Sequence, residues 1–295
     1  MDWRLGGASP GPALRRHTDR MIGLTFSHEA MATHFAITIA DQPEAYARQV
    51  SAAAFRELDR LEGELSRYVE SSDIARANRL ADGETMRIGH DALECLLLAA
   101  DASLATDRAF DPAYASDRGP DLAGDAPRFT LDPAAHTVTS HVQRLHLDLG
   151  AIGKGYALDR MAEVLAEWQV TSACLNSGDS TALALAAPPA TPGWLIGLGE
   201  DASYRALPLV QAALSGSGTA VKGSHLIVPR SGLPATRASR AWALAPTATL
   251  ADALSTAFFV MPDSAIAAFC LAHPQIGAAT VAASGRLVLF GQLGP

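Results

Sequence analysis

The stretch that decides the fold runs from His146 to Ser180 and reads HLDLGAIGKGYALDRMAEVLAEWQVTSACLNSGDS. It begins with an apolar run ending at Asp148, which we expect to be a strand, and continues into a glycine-rich turn that carries Lys154. The spacing of apolar residues then predicts a helix over about 156–168 and a strand over 173–175, leading into a second polar turn. A strand, a glycine turn and a helix in this order direct backbone N–H groups and a helix N-terminus at an anion.

The glycine turn alone is weak evidence for a ligand site. Its sequence, GAIGKG, matches neither the P-loop nor the dinucleotide-binding pattern, and a turn of this kind is equally compatible with a purely structural role. Two charges favour a site. An unpaired Asp148 carboxylate at the end of an apolar strand would be costly, and Lys154 at a helix start opposes the helix dipole unless an anion binds there.

A second stretch with chemical potential is ADALSTA, residues 251–257, at the start of an apolar helix predicted over 249–261. Asp252, Ser255 and Thr256 stand at i, i+3 and i+4, which puts three oxygen donors on one helix face. Such donors suit Mg²⁺, which takes few protein ligands and completes its shell with phosphate and water. The alternative, which the spacing alone favours, is an ordinary helix start with Thr249 as its cap and Asp252 favourable to the dipole.

Composition excludes several classes of protein. The chain has 295 residues, of which 48% are apolar and 18% charged, so it can fold around a sizeable core. Its formal net charge of −8 and the lack of a dense Lys/Arg block argue against nucleic-acid binding. The sequence contains no run of about 18 apolar residues, so we expect no membrane span. The three cysteines form no CxxC pair, so we expect buried free thiols, which fit a reducing compartment.

The N-terminal residues 1–20 are rich in Gly, Pro and Arg and have neither an apolar core nor a lipid-accepting cysteine. We therefore expect a flexible leader, with an alternative start at Met21, rather than a secretory signal. The missing export signal favours a cytoplasmic location. Because no linker clearly divides the remainder, residues 21–295 are predicted to form one domain.

Hydrophobic periodicity predicts a mixture of helices and strands along the whole chain. Beyond the elements above, we expect two strands within 22–41, helices over 49–68, 90–106 and 264–272, a short helix from about 71 to 78, three strands within 129–149, and strands over 194–198, 207–214, 224–228, 241–245, 278–281 and 287–289. The SGSG segment 215–218 is predicted to be flexible.

Taken together, the motifs and their order resemble the FAD:protein FMN transferase (ApbE) family. The segment DLGAIGKGYALD resembles the family's Asp-Leu-Gly-Gly/Ala-Ile-x-Lys-Gly-Tyr-Ala-x-Asp, and ADALSTAFFVM resembles its Ala-Asp-Ala-Leu-x-Thr-Ala helix. Weaker similarities keep the family order: MATHF, LSRYVESSDIARAN, TDRAFDP and SHLIVPRSGLP. The resemblance covers roughly residues 22–290.

The resemblance implies a single α+β domain, related to the T-fold, with mixed and antiparallel sheets and packed helices. It implies an Mg²⁺-dependent enzyme that cleaves its substrate FAD and attaches FMN, through a phosphoester, to a Thr or Ser of an acceptor flavoprotein. By motif position, His225 is the candidate base that activates the accepting hydroxyl. The implied metal ligands are the Ala151 carbonyl and the side chains of Asp252, Ser255 and Thr256. The implied flavin-nucleotide contacts are Met31, Tyr68, Ala109, Phe110, Asp111, Asp148, Lys154 and Ile227.

Several positions depart from the family pattern. Val228 stands where the family usually has Asp, Arg108 replaces a turn glycine, and the second polar turn reads NSGD instead of GGD or GGN. The segments between Asp111 and Asp148, and between Ser217 and His225, are also short for the family. One alternative is therefore an FAD-binding relative that has lost transfer, or that only hydrolyses FAD to FMN and AMP. A further alternative is a structural module in which the glycine turn is only a turn.

Overall fold

The computed structural model describes residues 23–117, 126–199, 204–218, 227–229, 233, 235, 237–282 and 285–294. The helices are α1 (Glu44–Leu65), α2 (Asp73–Ala77), α3 (His90–Ala105), α4 (Gly153–Glu167), α5 (Ala248–Val260) and α6 (Asp263–Ala272). The strands are β1 (Leu24–Ala30), β2 (Thr33–Ile39), β3 (Thr85–Arg87), β4 (Phe129–Asp132), β5 (Thr137–Ser140), β6 (Ala173–Ser177), β7 (Thr181–Ala184), β8 (Trp194–Leu198), β9 (Arg205–Leu209), β10 (Ala212–Gly218), β11 (Ala238–Ala245), β12 (Gly277–Ala282) and β13 (Leu287–Gly291).

The centre of the molecule is an antiparallel sheet with the strand order β1-β2-β6-β7-β10-β11-β12-β13. Two smaller antiparallel sheets accompany it, one with the order β3-β5-β4 and one formed by β8 and β9. Helices α4 and α5 pack on one face of the central sheet, and α1 packs against α4 and β1. This arrangement confirms the predicted α+β class.

The sequence pattern explains how the central sheet separates two cores. Phe35, Ile37 and Ile39 alternate along β2 and are almost fully buried toward the helices, as period-2 alternation requires. The opposite face carries Trp242, which packs with Trp194 and other apolar residues of the β8–β9 ribbon. Burying one such large apolar side chain contributes about 1.5–3 kcal/mol, so both faces of the sheet are held firmly.

The predicted flexible segment 215–218 is wrong, because these residues belong to β10. Ser215 pairs with Ala243 and Ser217 with Ala241 of the neighbouring strand β11. A Cβ atom added at Gly216 would lie 2.8 Å from the indole nitrogen of Trp242. Gly216 therefore makes room for a tryptophan on one face of β10, while Ser215 and Ser217 form hydrogen bonds with α5 on the other.

The predicted strand before the glycine turn is also wrong. Residues 141–149 form no strand. Side chains and a loop carbonyl satisfy their backbone instead: the Leu147 N–H donates to Asn78 Oδ1 at 2.6 Å, and the Asp148 N–H donates to the Pro112 carbonyl at 2.8 Å. Because these partners belong to loops and to α2's C-terminus, the segment is extended without joining a sheet.

Other boundaries shift by a few residues. Helix α1 begins at Glu44, five residues before the predicted start, and α2 is capped as expected by the Ser72 side chain, which accepts the Ala75 N–H at 2.9 Å. The predicted 207–214 strand is two strands, β9 and β10, and β3 and β7 were not predicted. All three cysteines are buried free thiols, as expected. Among the described residues, no helix has the length and apolar character needed to span a bilayer.

Candidate functional site

Two polar turns and the C-terminal part of strand β10 meet at one edge of the central sheet. The β1–β2 turn lies beside the β6–β7 turn, because the Gly178 N–H donates to the His34 carbonyl at 2.6 Å. The Gly216 N–H of β10 in turn donates to the Ser180 carbonyl at 2.7 Å. Antiparallel pairing thus gathers segments that are far apart in sequence, and the N-terminal ends of α4 and α5 cover them.

The first turns of α4 and α5 are in direct contact. A Cβ atom at Gly155 would lie 2.2 Å from the Ala248 carbonyl oxygen, so only glycine permits this crossing. Asp159 of α4 accepts the N–H groups of Ala248 and Thr249, at 2.9 and 2.8 Å, and the Thr249 hydroxyl at 2.5 Å. Burial raises the pKa of Asp159, and these three hydrogen bonds oppose that shift. A carboxylate from one helix therefore caps the start of the other.

This geometry corrects the expected cap of α5. The N-cap residue is Thr247, whose side-chain oxygen accepts the Leu250 N–H at 3.3 Å. Thr249, the predicted cap, lies inside the first turn and is bound to Asp159. Likewise α4 begins at Gly153, so Lys154 belongs to the first turn of that helix and not to the preceding loop.

Asp252 joins the two sequence motifs. Its Oδ2 lies 3.3 Å from Lys154 Nζ and accepts the Gly155 N–H at 3.1 Å, across 97–98 residues of sequence. The ammonium group of Lys154 also donates to the Gly150 carbonyl at 2.5 Å. Both side chains are shielded, with Lys154 19% and Asp252 6% exposed. The charges predicted separately from two motifs therefore form one ion pair at two adjoining helix starts.

Hydroxyl groups surround the other side of Asp252. Its Oδ1 receives the Ser215 hydroxyl at 3.3 Å and the Thr181 hydroxyl at 3.5 Å. Ser217 Oγ lies 2.8 Å from Ser255 Oγ and 3.2 Å from Thr256 Oγ1. Ser255 and Thr256 thus share a partner, as their helical spacing predicted.

The sequence reasoning missed Thr181, Ser215 and Ser217 as site residues. The signal was the alternation in β10, where Ala213, Ser215 and Ser217 share the sheet face toward α5. Because segment 215–218 was predicted to be flexible, this alternation was not assigned to a strand. The hydroxyl pairing of Thr181 and Ser215, at 2.9 Å, follows directly from their opposition across β7 and β10.

The donors around Asp252 suit a hard cation. Carboxylate, hydroxyl and carbonyl oxygens are the ligands that Mg²⁺ prefers, and Asp252, Ser255 and Thr256 offer them within one small, largely buried cluster. Among the described residues, no three His, Cys, Asp or Glu side chains form a group that could hold a metal ion, so the hydroxyl and carbonyl oxygens would have to complete the ligand set. Because Oδ2 of Asp252 is taken by Lys154 and Gly155, Mg²⁺ would bind through Oδ1 and the neighbouring hydroxyls, in place of the long hydrogen bonds that Oδ1 accepts from Ser215 and Thr181.

A second group forms around Asp148, beyond the glycine turn. Asp148 Oδ1 accepts the Gly150 N–H at 2.9 Å and lies 3.5 Å from Arg67 Nε. The Arg67 guanidinium stacks on the Tyr68 ring at 4.5 Å, and 78% of Tyr68 is exposed. Burial, together with the Asp148 charge, raises the pKa of the Tyr114 hydroxyl. The expected ligand contacts Tyr68 and Asp148 are therefore linked by an arginine that the motif analysis did not single out.

The β1–β2 turn carries Met31 in an unusual conformation. Met31 and Ala32 both have positive φ, 49° and 56°, in a two-residue hairpin turn that normally takes glycine or asparagine. The Met31 N–H donates to Glu62 Oε1 of α1 at 2.8 Å, which fixes the turn. A strained backbone held by a side chain is typical of positions kept for function.

The remaining expected nucleotide contacts are divided between surface and core. Phe110 is 3% exposed and belongs to the main core. The Asp111 carboxylate is held by Arg128 Nη1 at 2.5 Å and by the Ala113 N–H at 2.8 Å. Ala109 follows Arg108, whose φ of 59° explains why glycine is common at that position in the motif. Phe110 and Asp111 therefore shape the loop, and Ala109 lies nearer the surface.

Two departures from the family pattern meet in one groove. Arg108 and Val228 both line an open cavity of about 520 Å³ between the C-terminal ends of α3 and α5 and helix α6. Ile227 forms an isolated bridge and is half-buried, and the Val228 N–H donates to the Leu233 carbonyl at 2.8 Å. His225, the expected base, lies outside the described residues.

The sequence was compared with models of known protein families. The model of the ApbE family matches residues 31–118 and 121–280, which include both hallmark motifs. The chain belongs to the ApbE family. None of the curated proteins compared with the chain matches it in sequence.

Solved ApbE structures share the fold at low identity. The flavin transferase ApbE of Vibrio cholerae superposes with a TM-score of 0.79 at 19% identity, covering 90% of this chain and 96% of that one. The apo flavinyl transferase ApbE of Pseudomonas stutzeri gives 0.78 at 21%, covering 92% and 97%. The ApbE protein of Thermotoga maritima gives 0.75 at 23%, covering 90% and 96%. The fold expected from the resemblance is therefore confirmed.

Proposed function

We propose that this ApbE-family chain is an FAD:protein FMN transferase. It binds FAD at the edge of the central sheet, cleaves the pyrophosphate, and attaches FMN through a phosphoester to a Thr or Ser hydroxyl of an acceptor flavoprotein. Residues 21–295 act as one catalytic domain in this proposal, and the compartment is the cytoplasm. The single observation that carries the proposal is the 3.3 Å contact between Lys154 and Asp252, which unites the two family motifs.

The described residues support a pyrophosphate site. Phosphoryl transfer depends on positioning and on neutralising charge at the phosphate oxygens. Lys154 supplies a fixed cation, and the positive end of the α4 dipole adds potential of the same sign in the same place. Asp252 and the Gly150 carbonyl hold that ammonium in position, so its charge is directed without rearrangement when an anion arrives.

A magnesium ion fits the hydroxyl side of Asp252. Asp252, Ser255 and Thr256, with the Ala151 carbonyl, would hold it, and when bound it would supply Lewis acidity to the phosphate oxygens. This chain's own residues orient the set: Ser217 ties Ser255 to Thr256, and Ser215 fixes Oδ1 of Asp252. His225 is proposed as the base that removes the acceptor's hydroxyl proton, on motif position alone.

A second candidate function follows from Val228. Its apolar side chain stands at the position where an Asp is usual and lines the groove shared with Arg108. A protein that binds FAD but transfers nothing, or that hydrolyses FAD to FMN and AMP without an acceptor, would tolerate that loss. The two functions differ in whether flavin becomes covalently attached.

The direct test incubates the chain with FAD, Mg²⁺ and an acceptor that carries an Asp-x-x-Ser/Thr-x-Thr motif. Covalent FMN on the acceptor, measured by mass and in-gel fluorescence, together with stoichiometric AMP release, is the expected result. AMP release without a covalent adduct would indicate hydrolysis. A stable FAD complex without AMP release would indicate the binding-only alternative, and no FAD binding at micromolar concentration would reject a flavin function.

Two variants assign the roles. Asp252→Ala should abolish Mg²⁺-dependent transfer, and Lys154→Ala should weaken FAD binding more than it weakens folding. Asp263→Ala is a matched control, since Asp263 also opens a helix but pairs with Arg237 away from the site. Full transfer by Asp252→Ala, or unchanged FAD affinity of Lys154→Ala, would refute the respective role.

A further inference from the structure

We infer that Arg67 is a positioning residue for the dinucleotide. Its guanidinium holds the Tyr68 ring and the Asp148 carboxylate in one arrangement that presents an aromatic face to a planar heterocycle of FAD. The inference rests on the proposed function, because it concerns the ligand of the same site. It adds a residue that is part of neither hallmark motif.

Arg67 contacts Tyr68, His146 and Asp148, and these four residues are called here the Arg67 corner of the site. Its Nη2 donates to the Tyr68 hydroxyl at 2.5 Å, and Cζ lies 4.5 Å from the centre of the same ring. Nη1 lies 3.3 Å from His146 Nε2, and Nε lies 3.5 Å from Asp148 Oδ1. The planar Arg67 cation therefore holds the Tyr68 ring, in the loop after α1, close to the Asp148 carboxylate, which lies 81 residues after Arg67 in the sequence.

The exposure of Tyr68 indicates that this arrangement serves a ligand. With 78% of its surface exposed, the ring contributes little to the core. An exposed tyrosine loses rotamer entropy when it is held in place, and here the guanidinium holds it. A ring fixed in advance can stack on a planar ligand without that entropy loss at the moment of binding.

The charge of Arg67 also prepares Asp148. The two contacts to this carboxylate, from Arg67 and from the Gly150 N–H, use Oδ1, so among the described residues Oδ2 remains for a donor on the ligand. The side chain of Asp148 is only 18% exposed and that of Arg67 is 31% exposed. An ion pair in this setting keeps the carboxylate oriented as an acceptor. Lysine could supply the charge but neither the planar stack nor the forked geometry.

The experiment compares Arg67→Met, Arg67→Lys and the wild type by titration with FAD, FMN and ADP. Flavin fluorescence and the shift of the visible flavin band report binding of the first two ligands, and calorimetry reports ADP. Arg144→Met is the matched control, since Arg144 is 76% exposed and pairs with Asp117 outside this corner.

We expect Arg67→Met to weaken FAD binding by up to about tenfold and to reduce the band shift, since the ligand must then immobilise the Tyr68 side chain itself on binding. Arg67→Lys should recover part of the affinity but not the band shift. Arg144→Met should change neither. If FMN shows the loss and ADP does not, the stacked heterocycle is the flavin; the reverse pattern identifies the adenine.

Unchanged FAD affinity and an unchanged band shift in Arg67→Met would overturn the inference while leaving the proposed function intact. Absence of FAD binding by the wild type would instead reject the proposed function. If Arg67→Met does not fold, Tyr68→Ala replaces it in the same titration. Tyr68→Ala should then weaken FAD binding and remove the band shift, and wild-type behaviour by this variant would also overturn the inference.

Discussion

Asp252 Oδ2 and Lys154 Nζ lie 3.3 Å apart at the point where two helices begin, although 98 residues separate them in the chain. The same carboxylate oxygen accepts the Gly155 N–H, and its partner oxygen faces two hydroxyl groups. Asp252 is therefore both a structural acceptor for the turn of α4 and the acidic centre of the candidate site. This double role leads to a first prediction.

Removing the lysine charge should destabilise the fold moderately. Lys154→Met leaves Asp252 buried without its cation, but the Gly155 N–H and the hydroxyls of Ser215 and Thr181 remain, so we expect a loss of about 1–3 kcal/mol. Lys154→Met combined with Asp252→Asn should lose less than the sum of the single changes, by at least about 0.5 kcal/mol. Urea unfolding of all four proteins measures this coupling, and additive losses would contradict it.

The contact of Gly155 with Ala248 should make this glycine irreplaceable. Gly155→Ala places a Cβ atom 2.2 Å from a backbone carbonyl, so the two helices must separate, at a cost of about 1–3 kcal/mol. Gly63→Ala is the matched control in α1, where nothing lies within 4 Å of the added atom, and it should stabilise by about 0.5–1 kcal/mol. Thermal unfolding compares them; equal shifts of Tm in one direction would contradict the packing argument.

Relieving the strained hairpin turn should stabilise the protein. Ala32 has a φ of 56°, and the left-handed conformation of a non-glycine residue costs about 1–2 kcal/mol. We therefore expect Ala32→Gly to raise the free energy of unfolding by up to about 1 kcal/mol. Ala45→Gly, at an exposed position in α1, should instead lower it by about 0.5–1 kcal/mol. A lower stability for Ala32→Gly would show that the turn is not strained at this position.

Asp91 should make the fold sensitive to acid. Burial alone would raise its pKa, but hydrogen bonds from the Tyr156 hydroxyl and the Arg60 guanidinium, both at 2.7 Å, outweigh burial and lower it. A lowered folded-state pKa stabilises at any pH above the unfolded value of about 3.9. That contribution is lost as the pH falls through the folded value.

The variant Asp91→Asn tests whether the stabilisation from Asp91 is lost as the pH falls. The variant should be less stable than the wild type at pH 7, by about 1–3 kcal/mol, and the difference should narrow as the pH falls below about 4. Asp82→Asn, at an exposed turn position, serves as the control and should follow the wild-type curve. Denaturant unfolding between pH 3 and 7 measures the curves. A constant difference across that range would exclude Asp91 as the acid-sensitive group.

The two hallmark motifs could be placed from sequence because each lies at the start of a strongly periodic helix. Lys154 and Asp252 were both expected in the site, and their juxtaposition follows from the packing of α4 on α5. Local pattern contains no information on such packing. Contacts between two distant segments fix the distance between the charges: the close approach of Gly155 to Ala248 and the hydrogen bonds from Ala248 and Thr249 to Asp159.

The two wrong secondary-structure predictions, for segment 215–218 and for the segment before Asp148, have physical causes of the same kind. Ser215 and Ser217 were assigned to a flexible segment because glycine and serine are common in loops, yet both serines lie in β10 and form hydrogen bonds with α5, while Gly216 between them makes room for Trp242. The segment before Asp148 has the apolar pattern of a strand, but the Asn78 side chain takes its hydrogen bonds. In both cases a tertiary partner decided between conformations that the local sequence allows equally.

The crossing of α4 and α5 also bears on protein synthesis. Lys154 leaves the ribosome 98 residues before Asp252, which α5 brings into contact with it. β10 and β11, which support that helix, also follow Lys154 in the chain. A nascent chain can therefore form the early hairpin and α1 but cannot assemble the ion pair until α5 has been synthesised.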